Sequence, residues 1–230
     1  AEEETEREAD MKIMQGQGVS KGIEHGTIYF YHRCAAKVEK RTGAHRQEEE
    51  ARLERAKERS ARQLGEMAEK ARAEAGDEAA VLFETHAMFL EDEDYLAAMD
   101  ELLEQGFNAE YAVQQAGEKF ASMLASMEDS YMQARAADVR DVTGRILNNL
   151  MGVVEGGIHA DGPVILAAED LAPSETIQLD KSKILAIATQ KGSGNSHTAI
   201  LARTMGIPAV CGLGEEFNED FHGRQAYIVG

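Results

Sequence analysis

From Arg46 to Leu150 the sequence contains no proline and few glycines. Proline removes an amide donor and clashes with the preceding helical turn, and glycine loses the most backbone entropy on ordering, so a stretch poor in both is free to be helical throughout. Leu53, Ala56, Ser60, Leu64, Met67, Ala71 and Ala75 recur at spacings of three and four. They form a narrow stripe of small and apolar side chains on a charged helix, suited to close packing on a second helix. Gly76-Asp77 ends that helix, and Val81, Leu82, Thr85, Met88 and Phe89 are expected to form the apolar face of the next. Two more helices are predicted. One starts at Asn108 as its N-cap and runs through Val113, Ala116, Phe120 and Leu124, and the other runs from Tyr131 through Ala134, Val139, Val142 and Ile146 to Leu150.

The pattern changes near Gly152. Pro163, Pro173 and Pro208 all lie beyond it, and short β-branched runs at 164–167, 183–188, 208–211 and 226–229 read as strands. Helical stretches near 174–180 and 197–205 separate some of them, an alternation that implies an α/β layer with some parallel pairing. Residues 12–19 and 27–31 also read as strands and are placed with this layer, which makes the helical region an insertion. The expected fold is therefore a discontinuous α/β domain, residues 12–33 and 155–230, with an all-α helical bundle inserted at 34–154 and an acidic tail at 1–11.

The 42 acidic residues against 24 basic ones, a net charge of −18, argue against nucleic acid, whose phosphates are neutralised by clustered Lys and Arg. The absence of Trp and an aromatic content of 6% also remove the stacking platforms of a single-strand binder. A basic protein partner fits better. The opening AEEETEREAD is assigned to solvation, whereas the run Glu91-Asp92-Glu93-Asp94 belongs to the helical region. Cys34 and Cys211 stand far apart with no CxxC pattern, so neither a disulfide framework nor a zinc site is indicated. With no signal-peptide pattern and no apolar run near the roughly 20 residues a bilayer requires, the protein is expected to be soluble, cytoplasmic and independent of membranes.

The segment richest in chemistry is GSGNSHTAILARTMGIPAVCG, residues 192–212. Ser196 or Asn195 suits an N-cap, Ala199, Ile200 and Leu201 suit a helix interior, and Gly206 with Pro208 supplies a stop. His197 then falls in the first turn, where outward-facing amides and the helix dipole favour an anion such as a phosphorylated imidazole. Gly192 and Gly194 let the backbone approach a phosphate, and hydroxyls of Ser193, Ser196 and Thr198 with the amide of Asn195 are candidates to hold its oxygens or fix the ring tautomer. An imidazole, with a reference pKa of about 6.5, supplies a neutral nucleophile near neutral pH. A histidine near a helix start is more often a cap or a surface residue, so this pattern alone leaves both readings open. The remaining histidines, His25, His32, His45, His86, His159 and His222, show no metal-ligand spacing such as HExxH.

GSGNSHTAILARTMGIPAV resembles the phosphohistidine loop of enzyme I of the phosphoenolpyruvate:sugar phosphotransferase system. VILAAEDLAPSETIQL at 164–179 is similar to the family segment that precedes that loop, with the Thr176-to-His197 spacing preserved without a gap. HAMFLEDEDYL at 86–96 and RAADVRDVTGRIL at 135–147 resemble the inserted helices that dock the small carrier protein HPr, and GVSKGIEHGTIYFY at 18–31 resembles the opening strands. The likeness covers about residues 12–230.

The resemblance implies that His197 accepts the phosphoryl group through Nε2 and that the Thr176 hydroxyl bonds its ring, with Gly192, Gly194, Asn195 and Ser196 as phosphate-loop candidates. It further implies an HPr-facing surface at Glu84, His86, Met88, Phe89, Glu93, Asp94 and Arg135. Two departures stand out: Gly194-Asn195 occupies a place where Arg-Thr is common, and Ala172 replaces a hydroxyl residue before Pro173. Arg203, six residues beyond His197, reads as structural.

The expected activity is phosphoryl relay between protein histidines, as the amino-terminal fragment of a phosphoenolpyruvate-protein phosphotransferase. The fragment itself is expected to need no cofactor, with Mg2+ and phosphoenolpyruvate bound by a separate carboxy-terminal domain. Two alternatives remain: the enzyme I-like module of a dihydroxyacetone kinase or nitrogen-related system, and a non-catalytic partner-binding module in which His197 is only a cap.

Overall fold

The computed structural model describes residues 12–33, 37–153, 160, 162–194 and 196–230. Among these the chain packs as two units, one of residues 12–31, 160–170 and 181–230 and the other of 32–153 and 171–180.

The helical unit holds α1 (Arg46–Ala75), α2 (Asp77–Phe89), α3 (Glu93–Glu104), α4 (Ala109–Ala125), α5 (Ser130–Met151) and α6 (Pro173–Gln178). The stripe on α1 buries Leu53, Ala56, Ser60, Leu64, Met67 and Ala71, with Lys57 and Ala68 beside it. Gly76 ends α1 at φ 88°, a conformation open to glycine, and its amide donates to the Arg72 carbonyl. α2 departs from expectation. It buries Ala80, Phe83 and His86, whereas Val81 and Met88 are 54% and 75% exposed. Its apolar residues are spread around the helix, so periodicity does not select a face. The face turned inward is the one bearing Ala80, Phe83 and His86, with Asp138 and Asp141 near the His86 ring.

α4 and α5 approach closely at Gly117, where an added Cβ would lie 2.4 Å from Thr143 Oγ1. Thr143 in turn shares a 2.8 Å hydrogen bond with the hydroxyl of Tyr95, a fully buried residue of α3. The Tyr95 ring packs on Phe89 and Phe120, with centroids 4.6 and 5.7 Å away. Asn108 is the N-cap of α4 by backbone conformation, but its side chain does not cap the helix. It accepts from the Arg41 amide at 2.8 Å and donates to Glu110, while the Ala109 amide is taken at 2.7 Å by Glu49 of α1.

In the α/β unit six strands, β1 (Gln17–Ser20), β2 (Ile23–Phe30), β3 (Val164–Ala168), β4 (Ile184–Thr189), β5 (Ala209–Cys211) and β6 (Gln225–Val229), form one sheet in the order β1-β5-β4-β3-β2-β6. The four inner strands run parallel to one another, and β1 and β6 are antiparallel edges. β3 is buried at every position, as expected of a central parallel strand covered on both faces. The sheet curls: an added Cβ on Gly18 would lie 3.0 Å from Gly230, and the Gly230 amide donates to the Gly22 carbonyl. β1 begins at Gln17 rather than at residue 12.

Residues 171–180 also differ from expectation. Sequence order places them in the α/β domain, yet α6 packs on α1 and α5 within the helical unit. The expected boundaries at 34 and 155 and the acidic tail fall outside the described residues.

Candidate functional site

The segment carrying His197 is built from β4 onward. At the end of β4 the Thr189 hydroxyl donates to the Lys191 carbonyl at 2.7 Å, and Gly192 turns the chain at φ 100°. The Ser196 amide closes a turn on the Ser193 carbonyl at 3.0 Å. Ser196, extended at φ −66° and ψ 155°, is the N-cap, and its Oγ accepts from the Ala199 amide at 3.2 Å. α7 (His197–Met205) begins at once, so half-buried His197 is its first residue. Buried Ala199, Leu201 and Ala202 hold α7 against the sheet, and Gly206, at φ 65°, ends it before β5.

The loop is fixed by partners outside itself. The Gly194 amide donates to Gln17 Oε1 at 3.2 Å, and Arg203 Nη1 donates to the carbonyls of Gly194 at 2.9 Å and Val19 at 3.1 Å. Arg203 is thus a clamp between α7, the loop and β1, in line with its structural reading. Of the hydroxyls considered for phosphate, Ser196 is occupied as the cap, Thr198 is buried, and Ser193 is exposed. Asn195 lies outside the described residues. Chemically the arrangement offers a nucleophilic imidazole at the positive end of a helix, on a loop whose position is already set.

Thr176 belongs to α6 in the helical unit, is fully buried, and donates its hydroxyl to the Ala172 carbonyl at 2.9 Å. Of the residues expected on a docking surface, Glu84, Met88, Glu93 and Asp94 are exposed, and Phe89 and Arg135 are half-buried. Glu84 pairs with Arg72 at 2.5 Å, and Arg135 lies 5.1 Å from the Tyr131 ring while bonding its hydroxyl at 2.8 Å. His86 is not on that surface. It is 2% exposed, with Nε2 3.3 Å from Asp138 and Nδ1 3.9 Å from Asp141. On α5, Asp138 reaches His86, Arg140 reaches Glu118 and Asp141 reaches Ser174.

Gln17 and the grip of Arg203 on Gly194 were not foreseen, because both partners of each bond are remote or generic in sequence. A cavity of about 450 Å3 lies within the helical unit, lined by Arg59, Gln63, Lys70, Arg145 and Asn149 among others. Gln63, Arg145, Asn149 and Ser60 hydrogen-bond one another there, which accounts for its polar lining. Among the described residues no cluster of His, Cys, Asp and Glu suits a metal ion, and no helix is long and apolar enough to cross a membrane.

Comparison with known proteins gives the family of the chain. Residues 15–135 match the family described as PEP-utilising enzyme, N-terminal, and residues 160–230 match PEP-utilising enzyme, mobile domain. The chain is 39% identical over 220 residues to the phosphoenolpyruvate-protein phosphotransferase of Priestia megaterium, covering 95% of this chain and 38% of the relative. It is 36% identical to the Bacillus subtilis (strain 168) protein of the same name, over 88% of this chain and 36% of that one. The chain thus spans a little over a third of the length of these relatives. A solution structure of Enzyme I superposes with a TM-score of 0.72 at 33% identity, covering 94% of this chain and 89% of that one. A structure of the N-terminal domain of nitrogen Enzyme 1, at 24% identity and a TM-score of 0.66 over 94% of this chain and 90% of that one, shares the fold. Two adjoining family matches, close relatives of one name and a superposable fold together show that this chain belongs to the PEP-utilising enzymes, as a member of the enzyme I, or phosphoenolpyruvate-protein phosphotransferase, family.

Proposed function

We propose that the chain relays a phosphoryl group through His197 to a histidine of a small HPr-like carrier protein. The observation that carries this reading is His197 as the first residue of α7, on a loop clamped by Gln17 and Arg203. In each transfer an N–P bond to one imidazole breaks as an N–P bond to the other forms, so no further nucleophile is required. Such a reaction depends on alignment and on stabilising the transferring oxygens, and a helix start on a pre-set loop supplies both. Thr176 is assigned to orienting the His197 ring, and Gly192, Gly194, Asn195 and Ser196 to the phosphate side of the loop.

The carrier is assigned to the helical unit. Met88, 75% exposed, supplies an apolar anchor beside Phe89, and Glu84, Glu93 and Asp94 supply the negative charge that a basic carrier face would meet. His86 is buried and is assigned no direct contact with the carrier. Use of phosphoenolpyruvate with Mg2+ is assigned to the part of the relatives that this chain does not span, and the setting is cytoplasmic. The test is to mix the chain with phosphorylated HPr and follow phosphate and complex separately. A relay acquires phosphate that a second addition of unphosphorylated carrier removes. A binding module would form the complex and acquire none.

A further inference from the structure

We propose that Asp141 is a positioning residue for this transfer, a cap supplied by α5 that fixes the helix carrying Thr176, with the buried imidazole of His86 as its support. The inference rests on the relay reading and on the role given there to Thr176. α6 has six residues and starts after Ala172, whose methyl side chain cannot accept from the first-turn amides. The reciprocal half of a capping box survives, the Ala172 amide donating to Glu175 Oε2 at 2.7 Å. The missing acceptor comes from elsewhere: the Ser174 amide donates to Asp141 Oδ2 at 3.2 Å and the Ser174 hydroxyl to Oδ1 at 2.5 Å. A carboxylate at a helix start is also favoured by the helix dipole.

So short a helix has little intrinsic stability, and its place is set by its contacts. Those contacts are Asp141 at the leading end, the buried Pro173 and Ile177, and the paired bonds of Arg33 to Glu175 at 2.7 and 2.6 Å. Thr176 lies two residues beyond Ser174, so the cap and the hydroxyl move as one turn. Asp141 is itself an expensive group to place, with a side chain 8% exposed. Burial pushes its carboxyl above the usual range, and His86, the two Ser174 bonds and Arg145 act against that rise. His86 of α2 faces Asp138 and Asp141 of α5 and the edge of the Phe83 ring, so the cap is backed from the helix that bears Met88.

The experiment compares Asp141→Ala, Asp141→Asn, Thr176→Ala and the Asp141→Ala/Thr176→Ala double variant in the full chain. It measures carrier affinity, the transfer rate at saturating phospho-HPr, and amide hydrogen exchange. Asp141→Ala is expected to leave affinity within about twofold and to slow transfer on the order of ten- to a hundredfold, the loss that slight misplacement causes. Asp141→Asn, whose carboxamide oxygen still accepts from the Ser174 amide, should recover most of the rate. The double variant should be no slower than Thr176→Ala alone, because Asp141 acts through Thr176. Exchange protection should fall in α6 and persist in α1 to α5. Additive rate losses, an unslowed Asp141→Ala, or a uniform fall in protection across the helical unit would overturn the proposal. If the wild-type chain takes up no phosphate, the relay reading falls and the positioning role with it, while the exchange data would still decide whether Asp141 caps α6.

Discussion

Replacing Gly117 by Ala should destabilise the helical unit, although alanine is the better helix former. An ideal Cβ at Gly117 would sit 2.4 Å from both Thr143 Cγ2 and Oγ1 and 2.9 Å from Thr143 Cβ. Thr143 has no easy retreat, since it is 7% exposed and its hydroxyl is tied to that of Tyr95 at 2.8 Å. Alanine's propensity favours the variant by about 1 kcal/mol. Overpacking opposes it by roughly 1–3 kcal/mol, and turning Thr143 away would give up a buried hydrogen bond worth about 1 kcal/mol. The net expectation is a loss of roughly 1–3 kcal/mol. In a Thr143→Ala background the two atoms at 2.4 Å are gone and only the Cβ at 2.9 Å remains, so helix propensity offsets the residual crowding and the same substitution should be near neutral. Urea denaturation followed by helical circular dichroism, run as a double-mutant cycle, should give a coupling of about 1–3 kcal/mol. A Gly117→Ala chain as stable as wild type, or additivity within about 0.5 kcal/mol, would refute the close approach of α4 and α5.

Three further outcomes are expected. Tyr95→Phe should cost about 1 kcal/mol, and the Tyr95 phenol, pushed above its ordinary value by burial, should stay protonated in ultraviolet-monitored alkaline titration until the fold is lost. Because burial holds the Asp141 carboxyl above its unfolded value, the wild type should gain stability over Asp141→Asn as pH falls through that raised value, with no further change below the unfolded one. A gap that instead widens against the wild type on acidification would contradict this sign. Met88→Ala should change folding stability by less than about 0.5 kcal/mol yet weaken HPr binding, most of all together with Phe89→Ala, and titration calorimetry on the folded variants would show whether the affinity moves.

What the sequence revealed follows the range over which each signal acts. The α1 stripe and the strand at Val164–Ala168 are legible because periodicity and β-branching are local, and both are buried in the fold. The N-cap at Ser196 and the stop at Gly206 are legible for the same reason. The inner face of α2 is not legible locally, since Val81 and Met88 look as apolar in sequence as Phe83, and the Asp138 and Asp141 that lie near buried His86 are remote in sequence. Asn108 reads as a cap and takes that place by backbone conformation, but its side chain serves Arg41, remote in sequence, and Glu110. The placement of α6 has no local signal for a similar reason: its cap comes from Asp141, 33 residues before Ser174. Gln17, which holds Gly194 across 177 residues, has no local signature.

The most direct measurement is the position of the phosphate. After incubation with phosphorylated HPr, digestion at alkaline pH and tandem mass spectrometry should find a single phosphoryl group on His197, and none on the chain of a folded His197→Ala variant. Phosphate on another residue, or undiminished labelling of His197→Ala, would contradict the account.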